Sequence, residues 1–147
     1  MKLISKRPVA IARMQGGVGN SGFRGVVRFY QSLGGMLVEV DVCGLPDNGV
    51  GFYGLHIHEG GECSGTDFSS AGSHLGGNCT PHPRHAGDLP PLLSYNGRAY
   101  LAVMSDRFSL SDILGRTVVI HGKPDDFHTQ PAGNAGQRIA CGAICRA

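Results

Sequence analysis

Short strand-like runs recur along this chain, each entered or left through glycine, and a helical period is nearly absent. The clearest run is Met36 to Val42, where Val38, Val40 and Val42 share one face and Glu39 and Asp41 the other. That alternation is expected of an antiparallel strand with one face in a core and one in water. Further strands are expected over 8–14, 23–30, 50–58, 98–104, 117–121 and 138–145, with turns at 16–22 and 45–49. One short helix is expected over 106–114. The 24 glycines among 147 residues follow no period. They exceed the usual share of about 7% and read as turn residues rather than a collagen repeat. Such a pattern predicts an all-β sandwich or barrel.

Two long connections interrupt the strands, from 59 to about 95 and from 122 to 137. Structureless loops of that length are uncommon in compact domains unless they carry function. The chain is expected to form a single domain over 1–147, with 1–7 as an N-terminal extension. Hydrophobic residues make up 41% and charged residues 16%, which is a globular balance. A net charge of +2, with no run of lysine or arginine, gives no footing for nucleic acid. No apolar run approaches the roughly 20 residues of a membrane span. The basic start is not followed by a signal-peptide apolar region, so the expected compartment is the cytoplasm. The alternative is the periplasm or the exterior, should a leader have been removed. Five cysteines, an odd number, do not describe a fully bonded secreted scaffold.

Of the seven histidines, His56 and His58 lie two apart in Leu55-His56-Ile57-His58, and His121 ends the apolar run Thr117-Val118-Val119-Ile120. Side chains at i and i+2 of a strand point to one face, so His56 and His58 can converge on one ion, with His121 a third ligand if its strand is near. His74, His82, His85 and Asp88 fall within fifteen residues of a Gly/Pro-rich loop. That donor set, three nitrogens and one oxygen, suits tetrahedral zinc, whereas an all-nitrogen, square-like set favours copper.

The motifs Gly54-Leu55-His56-Ile57-His58-Glu59, Ala71-Gly72-Ser73-His74, His85-Ala86-Gly87-Asp88-Leu89-Pro90, Gly115-Arg116-Thr117-Val118-Val119-Ile120-His121 and Gly133-Asn134-Ala135-Gly136-Gln137-Arg138-Ile139-Ala140-Cys141-Gly142 occur in that order. On these the chain resembles the copper/zinc superoxide dismutases from about residue 9 to 145. The resemblance implies a Greek-key sandwich or flattened barrel of about eight antiparallel strands with two long functional loops. It implies copper on His56, His58, His74 and His121, and zinc on His74, His82, His85 and Asp88, with His74 bridging. Asp125 would link ligands of the two sites from behind. Cys63 and Cys141 would form a disulfide.

The implied activity is conversion of superoxide to O₂ and H₂O₂, with Arg138 guiding the anion and His74 storing a proton. The alternative on the same scaffold is a non-catalytic copper-binding or copper-delivery protein. In the first strand Ala10, Ala12 and Met14 share one face and Val9 and Ile11 the other; one set must face the core, and the other is either a homodimer patch or scattered apolar surface. Copper supply by a chaperone is left open. Three departures stand out. The step from His82 to His85 is shorter than the family's. The 122–137 loop is short, with Lys123 its only Lys or Arg. Ala132 stands where eukaryotic members often carry a hydroxyl. Cys43, Cys79 and Cys145 remain as free thiols; for Cys79, amid the zinc ligands, the alternative is competition for metal. His128 reads as a surface histidine, with a part in steering as the alternative.

Overall fold

A computed structural model describes residues 4–147, so the first three residues of the expected N-terminal extension lie outside the described residues. The strands are β1 (Ala10–Gly16), β2 (Arg24–Ser32), β3 (Gly35–Cys43), β4 (Phe52–His58), β5 (Asp88–Leu93), β6 (Arg98–Ser105), β7 (Thr117–His121) and β8 (Arg138–Arg146). A 3-10 turn covers Ser69–Ala71, and the expected helix shrinks to one turn, α1 (Leu110–Ile113). Leu114, extended at φ −60° and ψ 130°, ends α1, and Gly115 follows at φ 78°.

All eight strands join one antiparallel sheet in the order β5-β4-β7-β8-β1-β2-β3-β6. Its end strands β5 and β6 approach one another, so the sheet curls into a nearly closed barrel. The chain crosses over twice, after β3 and after β6, which is the Greek-key route. The two crossovers bring β4 and β7 side by side, with Leu55 opposite Ile120 and His58 opposite Thr117.

Alternation fills the barrel. Ala10, Ala12 and Met14 of β1 point inward, with Val27 and Phe29 of β2 and Met36, Val38, Val40 and Val42 of β3. Leu55 and Ile57 of β4 and Val118 and Ile120 of β7 complete the wall nearest the histidines. Of the two apolar faces of the first strand, the alanine face is thus the buried one, and Ile11 faces out, opposite Cys145.

One strand, β5, lies inside what reads as a loop. Its sequence Asp88-Leu89-Pro90-Pro91-Leu92-Leu93 carries two prolines, which lack the N–H a ladder needs. The structure absorbs them at a register shift, where Tyr53 faces Leu92 but Leu55 faces Leu89. Prolines are tolerated at bulges and on end strands, and β5 is both.

Phe29 is fully buried and meets Phe108 edge-on, with ring centroids 6.4 Å apart. Phe29→Ala is expected to lower stability by about 3–5 kcal/mol. Urea unfolding of the metal-free protein checks this, with the midpoint falling and the slope unchanged.

Candidate metal centre

Because Leu55 and Ile57 face the core, His56 and His58 face outward. They are nonetheless buried, at 0% and 1% exposure, since the two long connections fold over this part of the wall. Backbone bonds lay the first connection along β4: Glu59 N–H donates to Ser73 O and Leu75 N–H to Ile57 O, each at 2.8 Å. That brings His74 opposite His58. On the other side, a register shift between β7 and β8 sets His121 opposite Arg138. Bulges of this kind re-aim side chains near functional sites.

Besides His56, His82 and Asp125, which hydrogen bonds tie together, two groups of side chains result. One nitrogen each of His56, His58, His74 and His121 lie within 4.8 Å of one another, and so do ligand atoms of His74, His82, His85 and Asp88. His74 belongs to both. All six histidines in these groups are buried.

The hydrogen bonds reveal where the ring lone pairs point, since a carbonyl or carboxylate oxygen can only accept. His58 Nδ1 donates to Gly72 O at 2.7 Å, and His121 Nδ1 to Gly136 O at 3.2 Å. Their Nε2 atoms then face each other as bare acceptors, 3.3 Å apart. His56 Nε2 and His82 Nε2 donate to the two oxygens of Asp125, each at 2.8 Å. His56 Nδ1 is left buried with no partner. His82 Nδ1 lies 3.1 Å from Asp88 Oδ2 but is not aligned for a hydrogen bond. His74 directs Nδ1 at Asp88 Oδ1, 2.9 Å away, and holds Nε2 buried and unpartnered.

Three orphaned ring nitrogens in one place are costly, at about 1–3 kcal/mol each. Burial also disfavours charge on His56, His58, His85 and His121. Burial, reinforced by the neighbouring His121 ring, pushes His58 down to about 2. Burial, with His56 close by, takes His121 to about 3. Burial likewise lowers His56 and His85. Neutral imidazoles with converging lone pairs are what cations bind, so the donor set fits two metal ions, one held by nitrogens alone and one by three nitrogens and a carboxylate.

Asp125 is itself buried, which alone would raise its pKa. The His56 and His82 donors, with Phe127 N–H at 2.7 Å, hold it well below the usual carboxylate range instead. Gly133 makes room for this bridge. A Cβ there would sit 2.1 Å from Asp125 Oδ1 and 2.7 Å from His82 Nε2, at a φ of +68° that glycine adopts without strain.

A cavity of about 300 Å³ opens on the all-nitrogen group, lined by His58, His74, His121, Ala135, Gly136 and Arg138. Arg138 reaches it while anchored, Nη1 donating to Phe68 O at 2.7 Å and Nη2 to Gly72 O at 2.8 Å. The Gly72 carbonyl thus serves both Arg138 and His58. No side-chain pattern marks it; the only sign in the sequence is the Ala71-Gly72-Ser73-His74 motif, and Gly72 adopts φ 70°.

Cys63 and Cys141 are bonded, and with Phe68, Ala71 and Val119 they form a small second core outside the barrel. Cys43 is half-buried, while Cys79 and Cys145 are exposed. Cys79 takes no part in the metal groups, although it lies between their ligands in sequence. His128 is 80% exposed, its ring donating to the Asp126 carbonyl at 2.8 Å, apart from the cavity.

Comparison with known proteins agrees with this geometry. The family model described as copper/zinc superoxide dismutase matches residues 23–144. The chain belongs to the copper/zinc superoxide dismutase family. It is 36% identical over 135 residues to superoxide dismutase [Cu-Zn] 1 of Aquifex aeolicus, covering 82% of this chain and 79% of that one. It is also 32% identical over 151 residues to the copper chaperone for superoxide dismutase of Rattus norvegicus, covering 93% of this chain but 53% of that one. Among solved structures, a double mutant of a superoxide dismutase-like protein from Bacillus subtilis superposes with a TM-score of 0.80 at 30% identity, over 92% of this chain and 96% of that one.

The disulfide closes a separation of 78 residues. Cys63→Ser is expected to lower stability by about 4 kcal/mol from loop-closure entropy. Denaturant unfolding of metal-free protein, with and without reductant, checks it: reductant should shift the wild type toward the variant and leave the variant unmoved.

Proposed function

We propose that this protein is a superoxide dismutase that binds copper on His56, His58, His74 and His121, and zinc on His74, His82, His85 and Asp88. The observation that carries the reading is the convergence of bare Nε2 atoms of His58 and His121 and the orphaned His56 Nδ1 and His74 Nε2 beneath a cavity that also holds an arginine. A zinc-only protein has no use for that set.

Copper bound there supplies one-electron exchange in both directions, so that one superoxide is oxidised to O₂ and a second, with two protons, is reduced to H₂O₂. The residues do the rest. Arg138 keeps its charge at every working pH and offers N–H donors to a small anion. Its anchors on Phe68 O and Gly72 O fix where that charge sits. Lys123 lies nearby, its stem beside Gly136. The cavity, at about 300 Å³, has ample room for a diatomic anion, so charge rather than size selects what enters.

His74 serves both groups through its two nitrogens. Nδ1 stays beside Asp88 and holds the ring in place, while Nε2 can take a proton and return it within the cavity. Asp125 locks His56 and His82 in the tautomer that aims Nδ1 at each group. The Cys63–Cys141 bond suits the periplasm or the exterior.

Superoxide dismutation by protein loaded with copper and zinc, with metal content measured on the same sample, tests the proposal. High activity at one copper and one zinc per chain supports it. Full loading with negligible activity refutes it in favour of copper delivery, the activity named for the rat relative.

Two variants separate the roles. His74→Ala is expected to lower the occupancy of both metals; normal stoichiometry by elemental analysis would refute the bridge. Arg138→Glu is expected to slow turnover about ten-fold or more and to abolish or reverse its fall with ionic strength. Rates measured across a salt series check this, and an unchanged wild-type profile would count against steering.

A further inference from the structure

The stretch from His82 to His85 is tied locally at its His85 end, where His85 N–H donates to Asp88 Oδ2 at 2.9 Å and Asp88 N–H to His85 O at 3.2 Å, but not at His82. Its internal bonds are a turn from Arg84 N–H to Pro81 O at 2.9 Å and the Thr80 hydroxyl on Arg84 O at 2.9 Å. Neither reaches the backbone of His82. Instead, both polar groups of the His82 main chain go to one side chain in the other loop. His82 N–H donates to Gln130 Oε1 at 2.8 Å, and Gln130 Nε2 donates to His82 O at 2.7 Å. Gln130 Nε2 also reaches His128 O at 3.1 Å, which ties the amide to its own loop. On the far side, Arg107 Nη1 donates to Pro83 O at 2.8 Å and to His85 O at 3.3 Å.

We propose that Gln130 and Arg107 are positioning residues for the zinc group, two external clamps that set the His82 and His85 rings in place of a longer loop. The inference rests on the zinc assignment above. The physical case is simple. A ligand's affinity includes the entropy of ordering its backbone, and a doubly hydrogen-bonded amide orders a residue the way a paired strand does. Gln130 acts on the backbone of His82 while Asp125 acts on its ring, so main chain and side chain are fixed from the same loop. Arg107 comes from the turn after β6, so the barrel itself bears on the zinc group. Partners behind metal ligands typically change affinity 10–100-fold.

The test is zinc affinity, by titration of metal-free protein against a chromophoric chelator, on wild type, Gln130→Ala, Gln130→Glu and Arg107→Gln. Each of Gln130→Ala and Arg107→Gln is expected to weaken zinc about ten-fold. Gln130→Glu keeps the acceptor for His82 N–H but loses the donor to His82 O, so its affinity should fall between wild type and Gln130→Ala. Cobalt(II) placed in the same group should give an altered visible spectrum in the alanine variant. The metal-free variants are expected to unfold at the wild-type denaturant midpoint, because both side chains are exposed.

Zinc affinity within two-fold of wild type in both Gln130→Ala and Arg107→Gln would overturn the inference. So would a fall in metal-free stability with zinc affinity intact, since the clamps would then be merely structural. Failure of the underlying assignment looks different: wild type would bind no zinc, or His85→Ala would bind it as tightly as wild type.

Discussion

Six imidazoles buried side by side, with Nε2 of His58 facing Nε2 of His121 and ring nitrogens of His56, His74 and His82 left without partners, are the constraint on which this structure turns. A fold normally avoids such an arrangement, because unpaired acceptors in a dry site cost free energy. The frustration is confined to one side of one wall. Behind it stands a barrel whose core is apolar and complete, so the metal-free chain has somewhere to place the strain. Metal binding removes the strain, which couples affinity to folding.

The barrel and the loops divide the labour. Strand alternation alone decides that His56 and His58 share a face, and pairing with β7 decides that His121 is near. These three positions come from rigid elements. His74, His82 and His85 come from a loop, and a loop must be held. It is held by bonds to β4, by Asp125, by Gln130 and by Arg107. Precision in the second group is thus imported from elsewhere in the chain.

That division explains what could be read from residues alone. The alternation of Met36 to Val42 and the His-x-His pair are local, and the strands they predict are present with bounds shifted by a residue or two. The pairing of Cys63 with Cys141 came through resemblance, and it is formed. The strand β5 was hidden because Pro90 and Pro91 are strand breakers by local preference, and only the end position and the register shift make them acceptable. Gln130 and Arg107 were hidden for another reason. They recognise main-chain atoms, and any residue at 82, 83 or 85 presents the same carbonyl. No spacing of side chains could announce them. The short step from His82 to His85 was the available signal: a missing length implies a replacement restraint.

The Gly72 carbonyl links the disulfide to the cavity. Cys63–Cys141 pins the outer cluster of Phe68, Ala71 and Val119 to β7 and β8. The adjoining carbonyls of Phe68 and Gly72 accept from Arg138, and Gly72 accepts also from His58. One backbone segment therefore sets both the tautomer of a ligand and the place of the charge that faces it. A carbonyl with two lone pairs can serve two donors without choosing between them. Mutation of Arg138 alone leaves the bond from His58 to the Gly72 carbonyl in place. The disulfide thus bears on the cavity as well as on stability, through atoms that belong to neither cysteine.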